Sequence, residues 1–164
     1  MKAYFPKIDL SEKNVTFAFR HAIDKNYENL TLSVAASNAF GVIADGKLVF
    51  RGPVRSAHGY SHVSDVKFRS VMPTCLVIEV AYYGINGFAY VDEPPFLACE
   101  LIADGKVIAT AADFEAYRIT DRLQKTPRYS FQRSFSESYI MNCDRGALYR
   151  GKPVGYPQVD LAEV

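Results

Sequence analysis

Residues Leu30 to Tyr60 read LTLSVAASNAFGVIADGKLVFRGPVRSAHGY, and the fold is decided inside this stretch. Leu30, Leu32 and Val34 alternate with Thr31, Ser33 and Ala35, the two-residue period of a strand with one buried face. A second strand is expected over Ala39 to Ile43, and Asp45-Gly46 separates it from Leu48-Val49-Phe50. Asp-Gly between two apolar runs predicts a hairpin, because both central residues of a type I′ turn take positive φ. Gly52-Pro53 stops the third strand. The device recurs: Ile43 to Val49 is IADGKLV and Ile102 to Ile108 is IADGKVI. Two nearly identical hairpin tips in one short chain point to an all-β domain.

The composition fits that reading. A chain of 164 residues suits one domain with a single core, burying roughly two-thirds or more of its unfolded surface. It is 49% hydrophobic and 13% aromatic, with eleven Tyr, eleven Phe and no Trp, a strand-forming composition that excludes disorder and coiled coil. Net charge is +1 with the signs interspersed, which leaves no electrostatic footprint for nucleic acid or an anionic membrane. The segment MKAYFPKIDL lacks a signal-peptide core, and no run reaches the roughly 20 apolar residues of a membrane span. The 3 cysteines, Cys75, Cys99 and Cys143, form no C-x-x-C pair, and they read as free thiols of a cytoplasmic protein.

Along the chain, residues 1–14 read as a lead-in in which Pro6 limits regular structure, and Val15 to Ile23 as an added edge strand. Val63 to Phe68 fits a short strand or one helical turn. CLVIEVAYY, Cys75 to Tyr83, is the most apolar run, too short for a typical helix and suited to a central strand covered on both faces. GINGFAYVDEPP, Gly84 to Pro95, is a long loop. Phe96 to Ala103 and Lys106 to Thr110 form the second hairpin. Tyr129, Phe131 and Phe135 alternate with Ser130, Gln132 and Ser134 in a further expected strand. Residues 142–164 read as a linker-like tail toward a following domain, because Arg145 to Pro157 is rich in Gly and Pro. With residues 15–141 as the domain, about nine short strands with turn signals between them predict a mostly antiparallel jelly-roll β-sandwich of the galactose-binding-like kind. An immunoglobulin-like sandwich is the alternative.

Chemistry-bearing motifs are sparse. The sequence holds no Walker, dinucleotide-binding, nucleophile-elbow or HExxH signature, and no cofactor or metal is expected. His58 and His62 have helical metal-ligand spacing, but Gly52-Pro53 and Gly59 place them in a loop or strand. Asp92-Glu93, Asp113, Glu115 and Asp121 are read as solvated turn residues rather than a catalytic pair. Tyr82, Tyr83, Asn86, Phe88 and Tyr90 flank the long loop and are the candidates for contact with a sugar ring. Tyr129, Phe131, Phe135, Tyr139 and Met141, with Ile140, are the candidates for a docking or self-association surface; the alternative is that these rings complete the core.

Three groups of residues carry a resemblance. They are SNAFGVIADGKLVFRGPVRSAHGY; CLVIEVAYYGINGF with PPFLACELIADGKVIAT; and DFEAYR with RYSFQRSFSESY. Together they resemble the N-terminal β-sandwich region of bacterial α-L-rhamnosidase-like glycoside hydrolases. Similar modules precede catalytic domains in β-galactosidase-like enzymes. The resemblance implies an accessory module that packs on the catalytic domain of its parent enzyme. It also implies that the catalytic carboxylates lie in a later α/α barrel, so no catalytic residue is assigned here. A free-standing carbohydrate-binding protein is the alternative function.

Overall fold

β-branched and aromatic residues at period two cannot bury one face without a partner sheet, and two sheets answer that need here. The computed structural model describes residues 1–9, 11–69, 72–153 and 155–164; Leu10 of the expected lead-in and Val154 of the expected tail lie outside them. In chain order the strands are β1 (Ala3–Pro6), β2 (Val15–Ala22), β3 (Leu30–Ala36), β4 (Ala39–Ala44), β5 (Lys47–Gly52), β6 (Ser64–Phe68), β7 (Cys75–Tyr82), β8 (Leu97–Ala103), β9 (Lys106–Thr110), β10 (Glu115–Arg118), β11 (Gln158–Val159) and β12 (Leu161–Glu163), with one short helix α1 (Arg145–Tyr149). The first sheet runs β12-β1-β8-β3-β6, with β9 also on β8. The second runs β11-β10-β2-β7-β4-β5. Every pairing is antiparallel. The chain is a β-sandwich.

Alternation places the core. Leu30, Leu32 and Val34 of β3, with Leu97, Cys99 and Leu101 of β8, meet Phe17 and Phe19 of β2, and Leu76, Ile78 and Val80 of β7, between the sheets. Phe5 closes one end, its ring 5.3 Å edge-on to Phe17. The buried Cys99 thiol is pushed up to about 12 by its apolar surroundings, which leaves it inert.

Both Asp-Gly tips are two-residue turns as expected. Asp45 and Gly46 have φ of 45° and 84°, and Asp104 and Gly105 have 47° and 79°; Ala44 pairs with Lys47 and Ala103 with Lys106. Each aspartate also latches its hairpin to the start of a neighbouring strand. Asp45 accepts the Thr74 hydroxyl at 2.7 Å and the Cys75 amide at 2.9 Å, and Asp104 accepts the Asn29 amide at 2.9 Å. The Asp45 and Asp104 amides answer by donating to the carbonyls of Cys75 and Asn29, each at 3.0 Å.

Several expectations are corrected. Residues 1–14 are not a mere lead-in: β1 pairs with β8 and β12, and Pro6 is tolerated as the last residue of its strand. Residues 142–164 are not a linker-like tail, since α1 buries Leu148 and strands β11 and β12 add to the two sheets. Their Gly and Pro shape turns between short elements rather than a flexible tether. β2 is not an edge strand; it lies between β10 and β7. Residues 129–135 form no strand, only a loop closed by the Arg128–Phe135 bridge. The Arg128 guanidinium holds that loop by donating to the carbonyls of Phe131 (2.6 Å), Arg133 (3.0 Å) and Asn86 (3.2 Å).

Three outcomes follow from this arrangement. Gly46→Val and Gly105→Val each cost about 1 kcal/mol or more through the left-handed penalty. Asp45→Ala exceeds Asp104→Ala, because it strips hydrogen bonds worth about 1 kcal/mol apiece from more donors; equal shifts in thermal melts would refute the latch. In hydrogen exchange, the amides of Val77 to Val80 are the slowest, since β7 is paired on both edges, with β2 and β4. Faster exchange there than in β5 would contradict the central placement.

Candidate functional site

The outer face of the second sheet is set by register. Arg51, Gly41, Glu79, Ala18 and Tyr117 align across five strands, and Ala39, Ala81 and Thr16 form the next row. A carboxylate on the central strand of a sheet needs a cation, and α1 brings one. Arg145 lies 3.7 Å from Glu79 and 2.8 Å from Asp121, and the Tyr149 hydroxyl donates to Glu79. With Leu148 packed on Ala18, Ile43 and Val77, the helix covers half of this face.

Small residues leave the other half open. Ala39, Gly41 and Ala81 floor a groove of about 560 Å³ whose walls include Tyr83, Tyr90, Tyr139 and Tyr149 together with Arg51, Arg55 and Arg122. Two other hollows, of about 550 and 590 Å³, have one aromatic residue each and no arginine in their linings. One wall of the groove is a ribbon of residues 120–141, joined by the Arg122–Tyr139 bridge and by Leu123 donating to the Ser138 carbonyl at 2.8 Å. Asn14, buried and at φ 56°, anchors it: its amide nitrogen donates to the Gln124 carbonyl at 2.8 Å and its oxygen accepts from Arg122 at 2.8 Å.

The tyrosines of the walls stay protonated, and arginines lie over two of their rings. The Tyr83 and Tyr90 rings lie 4.7 Å apart, Arg122 sits 5.7 Å over the Tyr83 ring, and Arg145 sits 5.0 Å over that of Tyr139. Burial raises the phenols of Tyr83, Tyr139 and Tyr149, and Glu79 adds to the effect at Tyr149. The hydroxyls of Tyr139 and Tyr149 are spent on Glu137 and Glu79, and Tyr90 presents a half-buried ring.

The expected sugar-contact residues separate. Tyr83 and Tyr90 line the groove. Tyr82 does not serve it: alternation turns it into the inter-sheet core, where it is 5% exposed and its ring lies 6.5 Å from Phe5. Asn86 accepts the Asp92 amide at 2.9 Å, and Phe88 is exposed outside the groove lining. Of the expected docking residues, Tyr129, Phe131 and Met141 are more than three-quarters exposed, which removes the reading that they complete the core. Phe135 is half-buried, and Tyr139 joins the groove wall. Arg122, Tyr149, Arg51 and Arg55 were not found from the sequence; only the register and the ribbon bring them together.

Three of the remaining candidates have structural partners. His62 lies in a loop with Nδ1 3.3 Å from the Ser64 hydroxyl. Asp113 accepts from Thr110 and Glu115 from Arg20. Among the described residues no group of three or more His, Cys, Asp or Glu converges as for a metal, and no helix is long and apolar enough to cross a membrane.

The fold and groove together define a β-sandwich with a ligand-sized cleft on one outer face. Among solved structures, it is similar to part of the GH78 family rhamnosidase of Bacillus sp. GL1, with a TM-score of 0.75 and 21% identity over 97% of this chain and 18% of that one. It is also similar to part of the α-L-rhamnosidase of Streptomyces avermitilis, solved with L-rhamnose, with a TM-score of 0.51 and 14% identity over 99% of this chain and 14% of that one. At these identities the likeness is one of fold, and the chain spans less than a fifth of either enzyme. No family model matches the chain, and no curated protein matches it.

Asp121 supplies a pH test of how the wall is held. Burial by itself would raise its carboxyl, but hydrogen bonds from Arg145 and Cys143 hold it below the usual value of 3.8. A carboxyl depressed by folding contributes stability that is full above its unfolded value and is lost as pH falls through the folded one. Asp121→Asn is thus less stable than the parent near pH 6, and the gap closes toward about pH 3. Urea melts at the two pH values check this; a gap independent of pH would remove Asp121 as the ionised partner of Arg145.

Proposed function

We propose that this chain is a non-catalytic β-sandwich module of an α-L-rhamnosidase-like glycoside hydrolase, one that packs on the catalytic domain of its parent enzyme and contacts carbohydrate in the groove. The observation that carries the reading is the fold match across nearly the whole chain to a small fraction of a rhamnosidase. The groove supports contact with a sugar, because aromatic faces beside guanidinium donors suit a pyranose ring. The exposed rings of Tyr129 and Phe131, with Met141, support packing against another domain. Free Cys75, Cys99 and Cys143 fit a cytoplasmic parent.

A free-standing carbohydrate-binding protein is the second reading, and the groove is what favours it. The purified chain is expected to leave aryl rhamnosides intact and to give calorimetric heat with at least one member of a glycan panel. Turnover absent from an inactive preparation would overturn the non-catalytic assignment, and silence across the panel would leave the structural role alone. A reading frame that continues past Val164 into a barrel domain separates the module from the free-standing protein.

A further inference from the structure

The groove is electrically unbalanced. Its lining carries Arg51, Arg55 and Arg122 against Glu79 and Glu137, and both carboxylates are engaged. Glu79 is held by Arg145 and Tyr149, and Glu137 accepts the Tyr139 hydroxyl at 3.0 Å. Among the described residues none of the three groove arginines lies within ion-pair distance of a carboxylate.

Arg122 is the decisive one. It is 5% exposed, its Nη1 donates only to neutral acceptors, Asn14 at 2.8 Å and Thr16 at 3.1 Å, and its Nη2 is buried without a partner. A buried guanidinium lacking a counter-charge is costly unless something supplies one. Arg51 and Arg55, exposed on the β5 side of the same groove, add positive charge where a ligand would enter. Tyr90, half-buried, presents its ring beside them, and the buried Tyr83 ring backs it, packed against Arg122 and Tyr90.

We infer that the groove binds a carboxylate-bearing saccharide, its uronate carboxylate facing Arg122, Arg51 and Arg55 and its ring against Tyr90. This deepens the carbohydrate-contact reading above and rests on it. An acidic sugar supplies both the missing acceptor and the missing negative charge; a neutral sugar supplies only the acceptor. Guanidinium forks match a carboxylate in geometry as well as charge.

Calorimetric titration of the full chain with digalacturonate, with its dimethyl ester and with sodium acetate, each at low and at high salt, tests the inference. A methyl glucuronoside serves as a second acidic probe. The expected result is that an acid form binds at least tenfold more tightly than the ester or acetate, and that high salt weakens it. Arg51→Gln with Arg55→Gln is expected to reduce uronate binding at least tenfold with an unchanged melting temperature, since both side chains are exposed. Equal binding of ester and acid would overturn the charge argument while leaving a sugar groove in place. Equal binding of acetate would reduce the groove to a simple anion site and overturn the saccharide. No binding of either acidic probe overturns the inference, and the neutral glycan panel then decides separately whether carbohydrate contact survives.

Discussion

Glu79 stands on the outer face of β7, the strand paired between β2 and β4. A half-buried carboxylate over a sheet is tolerable only with a cation and donors beside it. Arg145 and Tyr149 meet that need, and Arg145 is shared with Asp121 in the ribbon. Burial by itself would lower the basicity of Arg145, but Asp121 and Glu79 more than offset this and hold it raised. One ionic cluster therefore ties α1 and the ribbon to the sheet. Together with the Leu148 contact and the Asn14 anchor, it holds in place the wall that carries Arg122, Glu137 and Tyr139.

What the sequence makes legible is what depends on near neighbours. The Asp-Gly tips, the alternation of β3 and the apolar run of β7 all follow from rules that span a few residues. CLVIEVAYY is central as expected, but it is covered on both faces only in its first half; Glu79 and Ala81 face the groove. One charged residue inside an apolar run marked that change. The latch function of Asp45 and Asp104 was also within reach, because an aspartate rather than an asparagine at both tips offers only acceptors to the strand beside it.

The misses share a cause. Tyr82 and Tyr83 are adjacent and were grouped together, yet period two sends the first into the core and the second into the groove. The ribbon of residues 120–141 has no clean period; it is held by side chains such as Asn14 and Arg128 that reach distant carbonyls. The terminal strands β1, β11 and β12 are four residues or fewer. Strands that short exist because a neighbour offers them an edge, and no local propensity announces them.

The floor of the groove and its exposed rim are held by different contacts. The groove floor is the outer backbone of β4 and β7, whose inward side chains Phe40, Val42, Ile78 and Val80 are buried in the main core, so the floor moves only if the domain opens. The walls are side chains of the ribbon, of α1 and of the β5 edge, and several of them, Arg51, Arg55 and Leu48 among them, pack against little else. Such positions can change what the groove accepts without disturbing the core. The small floor residues are the exception: a Cβ at Gly41 would come 3.1 Å from a methyl of Leu48, closer than side chains ordinarily pack, and would fill part of the groove. A cleft whose floor is core backbone and whose rim residues Arg51 and Arg55 are exposed can change the chemistry of its rim without repacking the core. Arg122 and Tyr149, hydrogen-bonded to Asn14 and Glu79, cannot change without loosening the walls.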